Sequence, residues 1–171
     1  PSFVEHIFLE DTQYIHEVLD KHGIFKQPGR KIGWIARPID SVMDKSGTYL
    51  FVSSDKKSYD DNGVFASSIS VVGIKSQKTL FSIPSSPSPK KIALSDDSKT
   101  LAVVNRGDNS VSFWNVDWQN GGPKLINHIW LGTPSSSSLA LSSAAFDKNG
   151  DYLLVAGAAS NGEMYVVSPA E

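Results

Sequence analysis

Three similar segments, about fifty residues apart, constrain the fold more than any other feature of this sequence. Each segment is a polar turn followed by a short apolar strand, and the copies are Ser46–Ser54, Ser98–Asn105 and Asn149–Gly157. Leu50, Leu101 and Leu153 occupy the same place in the three copies, so the period is 51 and then 52 residues. A repeat of this length indicates several copies of one supersecondary unit, arranged in a ring or a stack.

Further apolar segments recur around these strands and extend the unit to four strands. A short apolar segment precedes each turn and another follows each loop, and the first two copies continue with a fourth, at Leu80–Ile83 and Lys124–Leu131. Four-stranded antiparallel sheets repeated around an axis are the blades of a β-propeller. The sequence therefore predicts an all-β fold with about three blades, at residues 38–85, 86–132 and 133–171.

The residue types inside the repeat favour strands over helices. In Val111–Val116, small or polar residues interrupt large apolar ones, and β-branched and aromatic types dominate, as they do on pleated surfaces. The separators have turn chemistry, and Asn149-Gly150 is the strongest short hairpin signal in the chain.

The first 37 residues do not copy the repeat. Ile15, Val18 and Leu19 have helical spacing, Asp11 or Thr12 can cap a helix start, and Gly23 can close its end. We therefore expect an N-terminal extension over residues 1–37 that contains a short helix at about residues 12–22.

Propellers usually have four to eight blades, so three blades form an open arc with bare sheet faces at both ends. Bare sheet faces and edges are sticky or prone to aggregation. We therefore expect the chain to be part of a larger propeller. Its missing blades lie on another chain, in further residues of the protein, or in symmetric copies of this chain.

Composition excludes several classes of protein. The formal net charge of −2 lacks the basic excess of a nucleic-acid binder. No apolar run approaches the roughly 20 residues that cross a bilayer, and the sequence begins without a charged-then-apolar signal peptide. The sequence therefore predicts a soluble protein that binds neither nucleic acid nor membrane, and it leaves the compartment open.

No cofactor or metal is predicted. The chain has no cysteine, and its four histidines are scattered. No carboxylate cluster has the spacing of a calcium loop, and neither a phosphate-binding loop nor a dinucleotide fingerprint is present.

One segment resembles known propeller families. Leu101–Trp114 contains Asn105-Arg106-Gly107 and is similar both to YVTN-type repeats and to the Asn-Arg-Gly segment of lactonase-like seven-bladed propellers. Ser95–Leu101 together with Phe113–Val116 resembles a WD40 blade. The resemblance covers roughly residues 38–170 and implies a propeller fold. Its lactonase-like part implies an enzyme that acts on a small carboxylate or a sugar lactone.

Arg106 is the sharpest candidate for a binding residue. It lies in a turn between two predicted strands, where its guanidinium can bind a carboxylate or phosphate at the central channel. The alternative is a structural arginine that pairs with Asp108 or with the neighbouring blade. Asn105, which precedes Arg106 in the motif, is a second candidate binding residue.

Two loops offer candidate contact surfaces for a partner. Trp118 lies in the polar loop 117–123, and tryptophan is enriched at interaction hot spots. Its alternative is to fold back on its own blade. The long loop 54–67 carries Tyr59 and Phe65, and loops of this length are often functional.

These features favour recognition over chemistry. No serine has an identifiable base partner, and no general acid or base converges on Arg106 in the sequence pattern. We therefore predict a protein-interaction or scaffold module within a larger assembly. The alternative is a lactonase-like or cycloisomerase-like enzyme, in which Arg106 holds a small carboxylate.

Overall fold

The computed structural model describes residues 37–55, 67–117, 123–131, 139–158 and 162–170. The predicted helix at about residues 12–22 lies outside the described residues. Every regular element in the described ranges is a strand: β1 Pro38–Met43, β2 Tyr49–Ser54, β3 Ser67–Gly73, β4 Lys78–Ser85, β5 Pro89–Leu94, β6 Thr100–Asn105, β7 Ser110–Asn115, β8 Lys124–Trp130, β9 Leu141–Phe146, β10 Leu153–Gly157 and β11 Met164–Val167.

The strands form three antiparallel sheets in which neighbours in sequence are neighbours in space. The first sheet has the order β1-β2-β3-β4, the second β5-β6-β7-β8, and the third β9-β10-β11. The all-β propeller fold predicted from the sequence is confirmed, including the third copy with fewer strands. The division of the whole chain into an extension and three blade segments stays a prediction.

The turn between the first two strands of each sheet is built in the same way. A side-chain oxygen at the start of the turn accepts a backbone N–H five residues later, which fixes the reversal of the chain. The bonds are Asp44 Oδ1 to Tyr49 N at 2.6 Å, Ser95 Oγ to Thr100 N at 2.9 Å, and Asp147 Oδ1 to Tyr152 N at 3.0 Å. Aspartate and serine thus form the same turn, which explains why the repeat tolerates both.

The sheets pack face to face through two apolar cores. Phe51 and Ile83 of the first sheet meet Leu101 and Val103 of the second sheet in one core. In the other, Phe113 and its neighbours on the second sheet meet the third sheet, whose contribution is Leu141, Ala144, Leu153, Val155 and Val167. This stacking buries large apolar side chains at equivalent positions of the repeat, such as Leu101 and Leu153.

The first strand of each sheet lies beside the first strand of the next, so that β1 contacts β5 and β5 contacts β9. Asp40 on β1 reinforces this arrangement, because its Oδ2 accepts the N–H of Ile92 at 2.9 Å and lies 3.0 Å from Nζ of Lys91. We call β1, β5 and β9 the inner strands. We call the end of the sheets that contains Ser54, Asn105 and Gly157 the Arg106 face.

Candidate functional site

The candidate site lies at the Arg106 face, in the tight turn 106–109 between β6 and β7. Asn109 adopts a left-handed φ of 55°, which asparagine tolerates better than most residues. Its carbonyl accepts the N–H of Leu131 at 2.8 Å, and its side-chain Oδ1 accepts the N–H of Leu139 at 3.1 Å. The turn is therefore fixed to the connection that leads into the third sheet.

Gly107 fixes the other side of the turn. Its N–H donates to the carbonyl of Pro87 at 3.1 Å. A Cβ at this position would lie 2.6 Å from that carbonyl oxygen, so any larger residue would force the two backbone segments apart. This close approach holds Arg106 next to the connection between the first and second sheets.

Asn105 is fully buried and joins strands of two sheets. Its Nδ2 donates to the hydroxyls of Ser110 at 3.1 Å and Ser112 at 3.2 Å. Its Oδ1 accepts the hydroxyl of Ser85, at the end of β4, at 2.9 Å. A buried amide with these partners stabilises the fold, so the described role of Asn105 is structural.

Ser110 and Ser112 also form hydrogen bonds with two ionisable side chains, Asp108 and His128. Ser110 donates to Oδ1 of Asp108 at 2.6 Å. The Ser112 hydroxyl lies 2.8 Å from Nδ1 of His128, and since Ser112 accepts from Asn105, its own hydrogen can donate to that nitrogen. Asp108 and His128 therefore already have protein partners.

Arg106 itself is exposed, and its backbone N–H donates to the carbonyl of Ser88 at 2.9 Å. Among the described residues, the ion pairs are Lys45–Asp96, Lys91–Asp40 and Lys99–Asp117, so none involves Arg106. Its guanidinium is therefore accessible to a ligand. A role in binding stays a prediction.

The other candidate residues, Trp118, Tyr59 and Phe65, lie outside the described residues. The strand ends that flank them can be placed. Ser54 and Ser67, on either side of Tyr59 and Phe65, lie at the Arg106 face, where Ser67 pairs with Ser85.

The strand ends on either side of Trp118 lie elsewhere. Asn115 pairs with Lys124 and with Thr100, at the end of the second sheet opposite Asn105. The topology thus separates the flanks of Trp118 from the flanks of Tyr59 and Phe65.

Asp55 is a candidate that the sequence analysis missed. Its backbone N–H donates to the carbonyl of Arg37 at 3.3 Å, as that of Arg106 does to Ser88. Its Oδ1 is buried and has no hydrogen-bond partner in the part of the chain that the structure describes. The signal was present, because Asp55 and Arg106 are 51 residues apart, which is the repeat period.

In the part of the chain that the structure describes, no group of three histidine, aspartate or glutamate side chains could hold a metal ion. In the same ranges, no helix has the length and hydropathy needed to cross a membrane.

A family model described as "Lactonase, 7-bladed beta-propeller" matches residues 58–168. This chain belongs to that family. The match contains the Asn105-Arg106-Gly107 turn and confirms the resemblance to lactonase-like seven-bladed propellers that this segment indicated. A comparison with curated proteins finds no match to this lactonase-family chain.

Solved structures share the fold at low sequence identity. The β-propeller domain of Myceliophteria thermophila Cps50 (Swd1) is 16% identical with a TM-score of 0.58, over 78% of this chain and 41% of that chain. Kuenenia stuttgartiensis hydrazine synthase is 16% identical with a TM-score of 0.58, over 77% and 45%. A chain of the COPII outer coat vertex on membranes is 16% identical with a TM-score of 0.55, over 78% and 34%. The lactonase-family chain thus spans less than half the length of each.

Proposed function

We propose that this chain is a protein-interaction module and forms one sector of a seven-bladed ring. The open face of the third sheet carries the proposal. Leu154, Met164 and Val166 on that face are 48, 73 and 64% exposed, and Leu154 pairs directly with Val166 across the strands.

The positions equivalent to these three residues in the second sheet are buried. In the second sheet, Ala102 pairs with Phe113 and Val104 pairs with Val111. The pairs Leu154–Val166 and Ala156–Met164 of the third sheet have the same register. All four second-sheet residues pack against the third sheet. The exposed apolar face therefore has the pattern of a surface that another blade covers.

Substitution on this face tests the assembly part of the proposal. Val166→Lys should lower the unfolding free energy of the full-length protein by more than about 2 kcal/mol, because it places a charge between two sheets. In the 171-residue chain alone the same substitution should have little effect, because the position is exposed. Denaturant unfolding of both proteins measures the difference.

Leu125→Lys is the matched control, because Leu125 is 52% exposed on β8 and does not lie on the open face. It should have a small effect in both proteins. A Val166→Lys effect that is equally small in the full-length protein would contradict the assembly part.

Recognition at the Arg106 face is the second part of the proposal. Asp108 and His128 are occupied by serine hydroxyls, whereas the guanidinium of Arg106 is exposed and has no ion pair among the described residues. Because the acid and base groups already have protein partners, the exposed charge of Arg106 favours binding over proton transfer. A chain of similar fold occurs in the COPII outer coat vertex, which is consistent with such a role.

A photo-crosslinking side chain in place of Pro87, which is exposed beside the turn and leaves the guanidinium of Arg106 intact, should capture a specific protein partner in cells. The same side chain in place of Lys75 is the control, because Lys75 is exposed in the β3–β4 turn, at the end of the first sheet opposite Ser54. Adducts that form equally at both positions, or at neither, would contradict recognition at the Arg106 face.

Lactone hydrolysis is a second candidate function, favoured by the family match over residues 58–168. Its test is a panel of sugar lactones, assayed with the full-length protein and with its Arg106→Ala and Lys75→Ala variants. Turnover that is lost only in Arg106→Ala would establish the enzyme and overturn the preference for recognition.

A further inference from the structure

The connection that enters each inner strand has the same unusual backbone. The residue just before the strand has a left-handed φ although it is not glycine: 51° at Arg37, 55° at Ser88 and 51° at Ala140. Its carbonyl accepts an N–H from the residue that follows the second strand, with distances of 3.3 Å for Asp55, 2.9 Å for Arg106 and 3.0 Å for Ala158. This conformation is uncommon for residues with a Cβ, so its recurrence defines a structural position.

Asp55, Arg106 and Ala158 therefore occupy equivalent places in the three sheets. Each is bonded to the residue before an inner strand, and the inner strands contact one another. The three positions consequently lie along the inner part of the Arg106 face. Two of them carry charges, and these charges have opposite sign.

One oxygen of the Asp55 carboxylate, Oδ1, is buried and has no hydrogen-bond donor among the described residues. A buried carboxylate oxygen without a partner is unfavourable, and native proteins rarely leave one unsatisfied. Neither Arg37 nor Arg106 forms an ion pair with it within the described ranges.

The guanidinium of Arg106 forms no ion pair among the described residues. It is exposed, and its fork of N–H donors suits a carboxylate. An anion alone would satisfy Arg106 but leave the Asp55 oxygen without a donor, and a nucleic acid would be repelled by Asp55. The two positions together suit a ligand with one basic and one acidic group.

We propose that Asp55 and Arg106 form a two-charge site for a peptide segment of a protein partner. A lysine or arginine side chain of that segment donates to Asp55, and an aspartate or glutamate side chain accepts from Arg106. The choice of a peptide rests on the proposed recognition function. A peptide supplies both charges on separate side chains, which can reach positions on neighbouring sheets.

The test uses the full-length protein and fluorescent peptides with one lysine and one glutamate at varied spacing. Control peptides carry lysine alone, glutamate alone, or glutamine at both positions. Fluorescence anisotropy should show that one spacing binds at least about tenfold more tightly than any control peptide. The advantage should shrink as salt is raised, because both contacts are ionic.

Substitutions assign each charge. Asp55→Asn should reduce the affinity of the mixed peptide to that of the glutamate-only peptide, and Arg106→Gln should reduce it to that of the lysine-only peptide. Lys75→Gln and Asp151→Asn, which change exposed charges in turns at the opposite end of the sheets, should leave the affinity unchanged. Thermal unfolding of each variant verifies that it is folded.

Mixed peptides that bind no better than the controls at any spacing would overturn the two-charge site. So would an Asp55→Asn variant that binds the mixed peptide as the unsubstituted protein does. If crosslinking at position 87 still captures a partner in that case, the recognition function stands and only the role of Asp55 is wrong. If crosslinking also fails, both proposals are wrong.

Discussion

The second and third sheets are built from the same repeat, yet their faces have different surroundings. The second sheet is covered on both faces, and Leu101 and Ala102 are both fully buried although they point to opposite sides. In the third sheet Leu153 is fully buried, whereas its neighbour Leu154 is 48% exposed. The same strand pattern therefore gives a core residue or a surface residue according to what lies next to the sheet.

Neighbouring leucines provide the strongest test of this contrast. Leu153→Ala should destabilise the 171-residue chain by about 2–5 kcal/mol, because it removes a fully buried side chain and leaves a cavity. Leu154→Ala should cost less than about 1 kcal/mol, since half of that side chain is already in water. Urea unfolding measures both, and equal losses would show that the open face is covered.

Substitutions at Asn105 and Ser54 compare the second sheet with the first sheet at the Arg106 face. Asn105→Ala should destabilise the chain by about 1–3 kcal/mol, because the buried hydroxyls of Ser110 and Ser112 and the half-buried hydroxyl of Ser85 lose their common partner. Ser54→Ala changes the equivalent position of the first sheet, where the bonds to Ser68 are long at 3.4 Å. It should cost less than about 1 kcal/mol by urea unfolding. A smaller loss for Asn105→Ala than for Ser54→Ala would contradict the network.

The turns that begin with aspartate and with serine should contribute differently to stability at low pH. Burial raises the pKa of Asp44, but hydrogen bonds from Ser46, Tyr49 and Thr48 outweigh it and hold the pKa below the ordinary value of an aspartate. The ionised form is therefore favoured by folding. Its contribution is complete above the unfolded pKa and is lost as the pH falls through the folded pKa.

Asp44→Asn should accordingly reduce the fall in stability below about pH 4, as measured by urea midpoints over a pH series. Asp97 provides an internal comparison. The hydroxyl of Ser95 has the largest influence on its pKa and lowers it, burial raises the pKa, and the amide and charge of Lys99 lower it further, so the pKa lies below its ordinary value. Asp97 should therefore keep its acid sensitivity in the Asp44→Asn variant. An unchanged acid profile would mean that the Asp44 turn is already open in the unsubstituted chain.

Ser98 gives the smallest expected effect. It has a left-handed φ of 60°, where the equivalent residues of the other two sheets are Gly47 and Gly150. Ser98→Gly should relieve about 1 kcal/mol of backbone strain. It also removes the exposed acceptor for the N–H of Lys45 and makes the unfolded chain more flexible, so the net gain should be about 0.5 kcal/mol. Lys99→Gly, at a position without left-handed φ, should instead destabilise the chain in the same thermal unfolding assay.

The sequence was sufficient for the fold class but only partly for the site. The turn with Asn105 and Arg106 could be located because its residues are contiguous and resemble a known motif. The buried role of Asn105 could not, since its partners Ser85 and Ser112 come from other strands. Asp55 was missed because its similarity to Arg106 is one of backbone position and not of residue type.

The sequence by itself determined the repeat period, the strands, and the turns that Asp44, Ser95 and Asp147 begin. These features depend on contacts between residues that are close in the chain, so residue types and their spacing are enough to specify them. Only the tertiary structure decided which apolar face is covered and which charges lack a partner. Burial and charge pairing depend on residues far apart in sequence. In this chain, burial distinguishes Leu153 from Leu154, and the backbone hydrogen bonds between segments place Asp55 at a position equivalent to that of Arg106.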